Sequence, residues 1–135
     1  MTELEMVEAA RKARLHSYSP YSGFRVGACL ITKSGKVFTG CNVESATFTP
    51  TCCAERTALF SAVAQGEREF SAIAVASDGK RLPWPCGVCR QALAEFSLDM
   101  DVLAATAEGG WEKMKLSDLL PRAFTDFKDE EEQNV

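Results

Sequence analysis

Apolar and polar positions repeat along this chain with two periods, one helical and one extended. Leu4, Val7, Ala9, Ala10 and Ala13 recur at helical spacing, which predicts an amphipathic helix out to about Leu15. Thr2 and Glu5 stand at its entrance as a capping box. The run Tyr18-Ser19-Pro20-Tyr21-Ser22-Gly23 breaks it. Residues 24–32 and 37–41 read as strands of a hairpin, joined by the turn Lys33-Ser34-Gly35-Lys36. A loop over 42–51 follows, and Pro50 imposes an extended approach on it. Residues 53–65 predict a second helix with Gly66 as its C-terminal cap. Residues 70–77, rich in Ala, Ile and Val, read as a buried strand. A loop over 78–85 leads to a third helix over 86–96. Strands over 101–106 and 112–116 come next, and Ser117 is expected to cap a short last helix ending near Pro121.

The order α-β-β-α-β-α-β-β-α predicts an α/β architecture with parallel neighbours late in the chain and helices on both faces. The opening hairpin makes the sheet mixed. No repeat or linker divides residues 1–127, which read as one domain, and 128–135 read as an acidic, disordered tail.

Composition narrows the class. With 135 residues, 46% hydrophobic and 25% charged, the chain can bury a core without staples. No apolar run is long enough to span a membrane, so no membrane partner is expected. The polar, acidic start is no secretory signal, and the expected compartment is the cytosol. The net charge of −4 lies largely in the tail, leaving a nearly neutral body with little to neutralise phosphates. A nucleic-acid partner is therefore not expected. Six cysteines in a reducing compartment suggest metal binding or redox chemistry more than disulfides.

Two segments carry the candidate chemistry, Cys53-Ala54-Glu55 and Pro85-Cys86-Gly87-Val88-Cys89. Both lie where a helix begins, and a helix N-terminus favours thiolates. Cys86 and Cys89 share one helical face. Three cysteines leave one position open on a tetrahedral zinc, the pattern of a catalytic rather than a closed structural site. Three thiolates donate much negative charge, and Arg56 is the candidate to compensate it. Taken alone, Cys86-x-x-Cys89 also fits a redox pair or half of a structural zinc site. Cys29 and Cys41 fall in strands and read as buried small hydrophobes. Cys52 should point away from the metal, and His16, the only histidine, suits the end of the first helix.

These motifs resemble the zinc-dependent cytidine deaminases of the short, homotetrameric type. The matching segments are Phe24-Arg25-Val26-Gly27-Ala28, Gly40-Cys41-Asn42-Val43-Glu44-Ser45-Ala46, Cys53 to Ala58, Pro85 to Gln91, and Leu119-Leu120-Pro121 with Phe124. The resemblance implies a three-layer α/β/α fold on a mixed five-stranded sheet. It implies one Zn²⁺ per chain, held by Cys53, Cys86 and Cys89. Glu55 would act as general acid and base, shuttling protons for a zinc-bound hydroxide. Asn42 and Glu44 would bind the ribose 3′-hydroxyl and Phe24 would pack near the pyrimidine, with Val43 and Ala54 on the same surface. Phe124 would reach into a neighbouring subunit's site. The reaction implied is hydrolysis of cytidine and 2′-deoxycytidine to the corresponding uridines and ammonia, a step of pyrimidine salvage.

Four positions depart from the family pattern: Ser45 for Asn, Phe48 for Tyr, Val88 for Ala, and Trp84 for a small residue. They leave open a deaminase of a modified cytidine or an aminonucleoside antibiotic. A non-catalytic zinc or thiol redox module is a third reading, against which Glu55 and the count of three ligands argue.

Overall fold

The first element begins at its capping box. In the structure, a computed structural model that describes residues 1–126, the Glu5 N–H donates to Thr2 Oγ1 at 3.1 Å. The Thr2 N–H donates back to Glu5 Oε1 at 2.9 Å, which satisfies two orphan donors of helix α1 (Glu3–Ala13). Met6, Val7, Ala10 and Ala13 form its buried stripe, while Leu4 and Leu15 face solvent. Val7, Ala9, Ala10 and Ala13 thus lie on the expected face, and the one departure is at its start, where Met6 rather than Leu4 lies against the sheet. The helix then tightens into a 3₁₀ turn over Arg14–His16.

Five strands form one sheet: β1 (Val26–Thr32), β2 (Val37–Cys41), β3 (Phe70–Ser77), β4 (Asp101–Thr106) and β5 (Trp111–Lys115). Their spatial order is β2-β1-β3-β4-β5, with β3 and β4 parallel and the other neighbours antiparallel. This is the mixed five-stranded sheet the sequence implies. Alternation along the strands divides the core in two. Leu30, Ile73, Val75 and Val102 pack with helices α2 (Ala54–Ala64) and α3 (Gly87–Ala94). Cys29, Ile31, Ala74, Ala76 and Leu103 pack with α1 on the other face. Three layers result, α/β/α.

Some boundaries differ from expectation. β1 starts at Val26, not at residue 24, because the Arg25 backbone N–H donates to the Asp78 carboxylate instead of to a neighbouring strand. Helix α4 (Leu116–Leu119) is preceded by Lys115 as its cap residue, not by Ser117. The Leu116 and Ser117 N–H groups donate to the Met100 and Leu98 carbonyls at 3.0 Å each, so the helix starts directly off β5. The acidic tail expected over 128–135 lies outside the described residues. Among the described residues, no helix is long and apolar enough to cross a membrane.

Two glycines let helices approach the sheet. A Cβ on Gly40 in β2 would lie 2.5 Å from the Ala58 nitrogen and 2.6 Å from the Ala54 carbonyl oxygen of α2. A Cβ on Gly27 in β1 would overlap the Ala10 carbonyl of α1 on the opposite face. Hydrogen in place of a methyl therefore sets the depth at which α2 meets the sheet, and with it the residues at its start.

Candidate active site

Cys53 and Cys86 occupy the N-cap positions of α2 and α3, each with an extended backbone, and neither side chain makes a capping hydrogen bond. Their sulfurs point instead at one another, 4.0 Å apart. Cys89, buried on the first turn of α3, joins them, and the three Sγ atoms lie within 4.8 Å of each other. Zn–S bonds of about 2.3 Å in a tetrahedron place sulfurs ~3.8 Å apart. All three thiols are free of disulfides, so this donor set fits zinc and leaves a fourth position open. Cys29, Cys41 and Cys52 stand outside the cluster. Burial pushes the Cys29 thiol up to about 11 and also raises Cys41, as befits small apolar side chains.

The cluster is electrostatically polarised. A hydrogen bond with Cys89 and the Arg56 guanidinium pull the Cys53 thiol down to about 5. The neighbouring Cys53 thiolate and burial push Cys89 up. Arg56 Nη2 donates to Cys53 Sγ at 3.5 Å, while its Nε is buried without a hydrogen-bond partner among the described residues. Negative charge thus collects on the sulfur that the guanidinium faces.

Glu55, second residue of α2, is only 5% exposed. Burial pushes its carboxyl up to about 7, outweighing the hydrogen bond from its own backbone N–H, and the charge on Cys53 adds to the rise. A carboxyl that titrates near neutrality can both take and give a proton.

Beside the cluster lies a cavity of about 610 Å³ lined by Phe24, Asn42, Glu44, Cys53, Ala54 and Glu55. Six of the residues expected at the site from sequence are therefore brought together around one cavity. Glu44 accepts from the Tyr21 N–H at 3.0 Å, the Ser22 N–H at 3.1 Å and the Ser22 hydroxyl at 2.5 Å, and these donors, the hydroxyl first, hold its carboxyl below the usual range. Asn42 has a structural duty as well. Its Oδ1 accepts from the Ser17 hydroxyl at 2.5 Å and the Val26 N–H at 2.9 Å, and its Nδ2 donates to the Phe24 carbonyl at 2.9 Å. One N–H remains for a ligand. Val43 is not on the cavity wall; it pairs through its backbone with Tyr18 and Cys52. Phe124 is also outside this cavity, 53% exposed, with its carbonyl held by Gln91 Nε2 at 2.6 Å.

A further stretch of the wall, residues 79–84, carries no motif and was not singled out from sequence apart from Trp84. Asp78 anchors it. Its carboxylate accepts from Arg14 Nε at 2.9 Å, and from Arg25 Nε, Nη2 and backbone N–H at 2.9, 3.1 and 3.1 Å. Arg25 and then Arg14 hold it at about 2. Gly79 follows, so close to Phe24 that a Cβ would lie 3.1 Å from the ring. Ser45 and Phe48 line a smaller adjoining hollow of about 300 Å³ that shares Glu44, and Val88 is exposed on α3.

Comparison with known proteins agrees with this geometry. Residues 1–105 match the cytidine and deoxycytidylate deaminase zinc-binding region. The chain is 46% identical to a cytidine deaminase of Halalkalibacterium halodurans over 89% of its own length and 92% of the relative's. It is 30% identical to a blasticidin-S deaminase of Bacillus cereus, with 91% and 92% covered. A crystal structure of cytidine deaminase from Burkholderia pseudomallei superposes with a TM-score of 0.89 at 48% identity, covering 92% of this chain and all of the other. By its zinc motifs, its three-layer fold and these likenesses, the chain belongs to the zinc-dependent cytidine deaminase family.

Proposed function

We propose that this protein hydrolyses the 4-amino group of cytidine and 2′-deoxycytidine, releasing ammonia and the corresponding uridine. The observation that carries the reading is the buried Glu55 carboxyl, tuned to about 7, in a nucleoside-sized cavity beside three convergent cysteine sulfurs. Zinc held by Cys53, Cys86 and Cys89 supplies a Lewis acid that lowers the pKa of a water to about 7.

The chain's own residues do the rest. Glu55 takes the proton of the attacking water and delivers it to ring N3 as the new C4–O bond forms. It then takes the remaining proton from the new C4 hydroxyl and passes it to the 4-amino group, the C4–N bond breaks, ammonia leaves, and the C4 carbonyl of the uridine results. Arg56 offsets the negative charge of the thiolate ligands. Glu44, kept ionised by its Ser22 and Tyr21 donors, accepts the ribose 3′-hydroxyl, and Asn42 offers its remaining N–H. Phe24 forms an apolar wall for the pyrimidine, and Ala54 borders the same cavity. Recognition through the 3′-hydroxyl treats ribose and deoxyribose alike.

The active form is a homotetramer of single-domain chains spanning residues 1–127. The exposure of Phe48, Phe60, Val88 and Phe124 supports self-association, since large apolar side chains left in water favour a partner surface. Phe124 then completes a neighbour's site. The free thiols suit a reducing cytosol.

The test is a direct one. Purified protein with one zinc per chain is given cytidine, deoxycytidine and an aminonucleoside antibiotic, and ultraviolet absorbance is followed alongside released ammonia. Loss of the cytidine band with equal ammonia is expected. Turnover of the antibiotic alone would shift the substrate to that class, and no turnover of any would remove the reading.

A further inference from the structure

Arg90 stands one turn inside α3, half-buried, and its guanidinium joins two segments that are distant in sequence. Nε donates to the Pro85 carbonyl at 2.6 Å, and Nη1 donates to the Leu119 carbonyl at 2.7 Å. The Arg90 backbone N–H donates to the Cys86 carbonyl at 2.9 Å. One residue thus holds the carbonyls of the two peptides that flank the Cys86 Cα, and those peptides fix where the Cys86 sulfur starts. Gln91, the next residue, holds the Phe124 carbonyl at 2.6 Å.

Neither Arg90 bond is of the kind a helix needs for itself. Pro85 lies before the helix, and its carbonyl has no place in the α3 ladder. Leu119 is the last residue of α4, where carbonyls lack intrahelical donors. No ion pair to Arg90 occurs among the described residues, so the guanidinium is committed to these two carbonyls. Charged donors make shorter and stronger hydrogen bonds than neutral ones, and the planar fork presents both at fixed angles. Cys86 needs such a support. It is exposed, sits at a helix cap without a capping bond, and follows a proline that can donate nothing.

We propose that Arg90 is a positioning residue of the metal site, fixing Cys86 by clamping the Pro85 carbonyl against the C-terminal segment at Leu119. The proposal rests on the zinc reading above. Groups that hold metal ligands in place are worth ten- to hundredfold in metal affinity or activity. The clamp therefore makes zinc retention depend on residues 116–124, which carry no ligand.

The experiment measures zinc release from the holoenzyme to a chromophoric chelator, for wild type, Arg90→Gln and Arg90→Lys, with thermal melts of each. Ile73→Val, a core change far from the clamp in sequence, serves as a control for general destabilisation. Arg90→Gln is expected to release zinc at least about tenfold faster than wild type. Arg90→Lys, which keeps the charge and a donor, should lie between them. The Cobalt(II)-substituted variants should show altered sulfur-to-metal absorption bands. If Arg90→Gln does not fold, the folded Arg90→Lys decides. Release at the wild-type rate from either folded variant, or faster release matched by Ile73→Val at equal loss of melting temperature, overturns the proposal. A wild-type protein that binds no zinc would instead overturn the zinc reading itself.

Discussion

The Arg56 guanidinium donates to the Cys53 sulfur at 3.5 Å, and both residues belong to the first turn of one helix. A hydrogen bond with Cys89 and then this guanidinium pull the Cys53 thiol down to about 5. Arg56→Gln removes the charge and keeps much of the shape. Turnover is expected to fall at least about tenfold. In protein stripped of zinc, Cys53 should titrate higher than in wild type, because the charged form has lost a partner. Thiolate absorbance against pH reads this directly. An unchanged titration would remove Arg56 from its assigned role.

Glu55 answers to a different measurement. Glu55→Gln keeps the size of a side chain that is nearly fully buried but cannot exchange protons. Zinc should remain at one per chain while the rate falls by at least about 10²-fold, the low end for acid–base catalysis. Full turnover in a zinc-replete variant would sink the assignment.

Gly40 sets the seat of α2. Gly40→Ala places a methyl against the Ala58 nitrogen and the Ala54 carbonyl, backbone atoms that cannot rotate aside. A loss of about 1–3 kcal/mol in urea unfolding is expected, the usual cost of overpacking. Because Cys53 and Glu55 ride on the same helix, zinc affinity should fall with it. A variant as stable as wild type would show that the sheet yields locally.

Asp78 predicts a pH dependence. Its folded carboxyl is held at about 2, below an ordinary value of 3.8, by Arg25 and Arg14. A carboxyl depressed by folding adds stability that is fully present above about pH 4 and is lost as pH falls toward 2. Asp78→Asn removes this contribution. The stability gap between wild type and variant should be constant near neutrality and narrow in acid, as read by denaturant titrations across pH. A gap that does not depend on pH would mean that packing rather than charge gives Asp78 its effect.

Much of the site was legible because its chemistry is local. Cys53, Glu55, Cys86 and Cys89 lie in two short segments at helix starts, and the family resemblance carried by those segments implied their convergence on one metal. Strands 37–41, 70–77 and 101–106 were legible for a similar reason, being short apolar runs between turn signals. What escaped depends on distant partners. Asp78 is unremarkable in sequence, and its importance comes from Arg14 and Arg25, 64 and 53 residues away. Arg90 matters through Leu119, 29 residues on. The cavity wall over 79–84 has no periodicity to betray it. Leu4 at the start of α1 and the cap of α4 were misjudged because local pattern was overridden by contact with the sheet and by pairing with Leu98 and Met100.

Cys53 and Cys86 take the two positions where a Ser or Asp would ordinarily serve its own helix, and neither does so. A metal bound to both becomes a shared fastening for the starts of two helices that lie 33 residues apart in sequence. Chelation should accordingly loosen both ends in concert, so that amides near residues 54–57 and 87–90 gain hydrogen-exchange rate together while the sheet stays protected. The catalytic ion would then be a hinge pin as well as a reagent, and cellular zinc supply would set how long the protein endures as well as how fast it works.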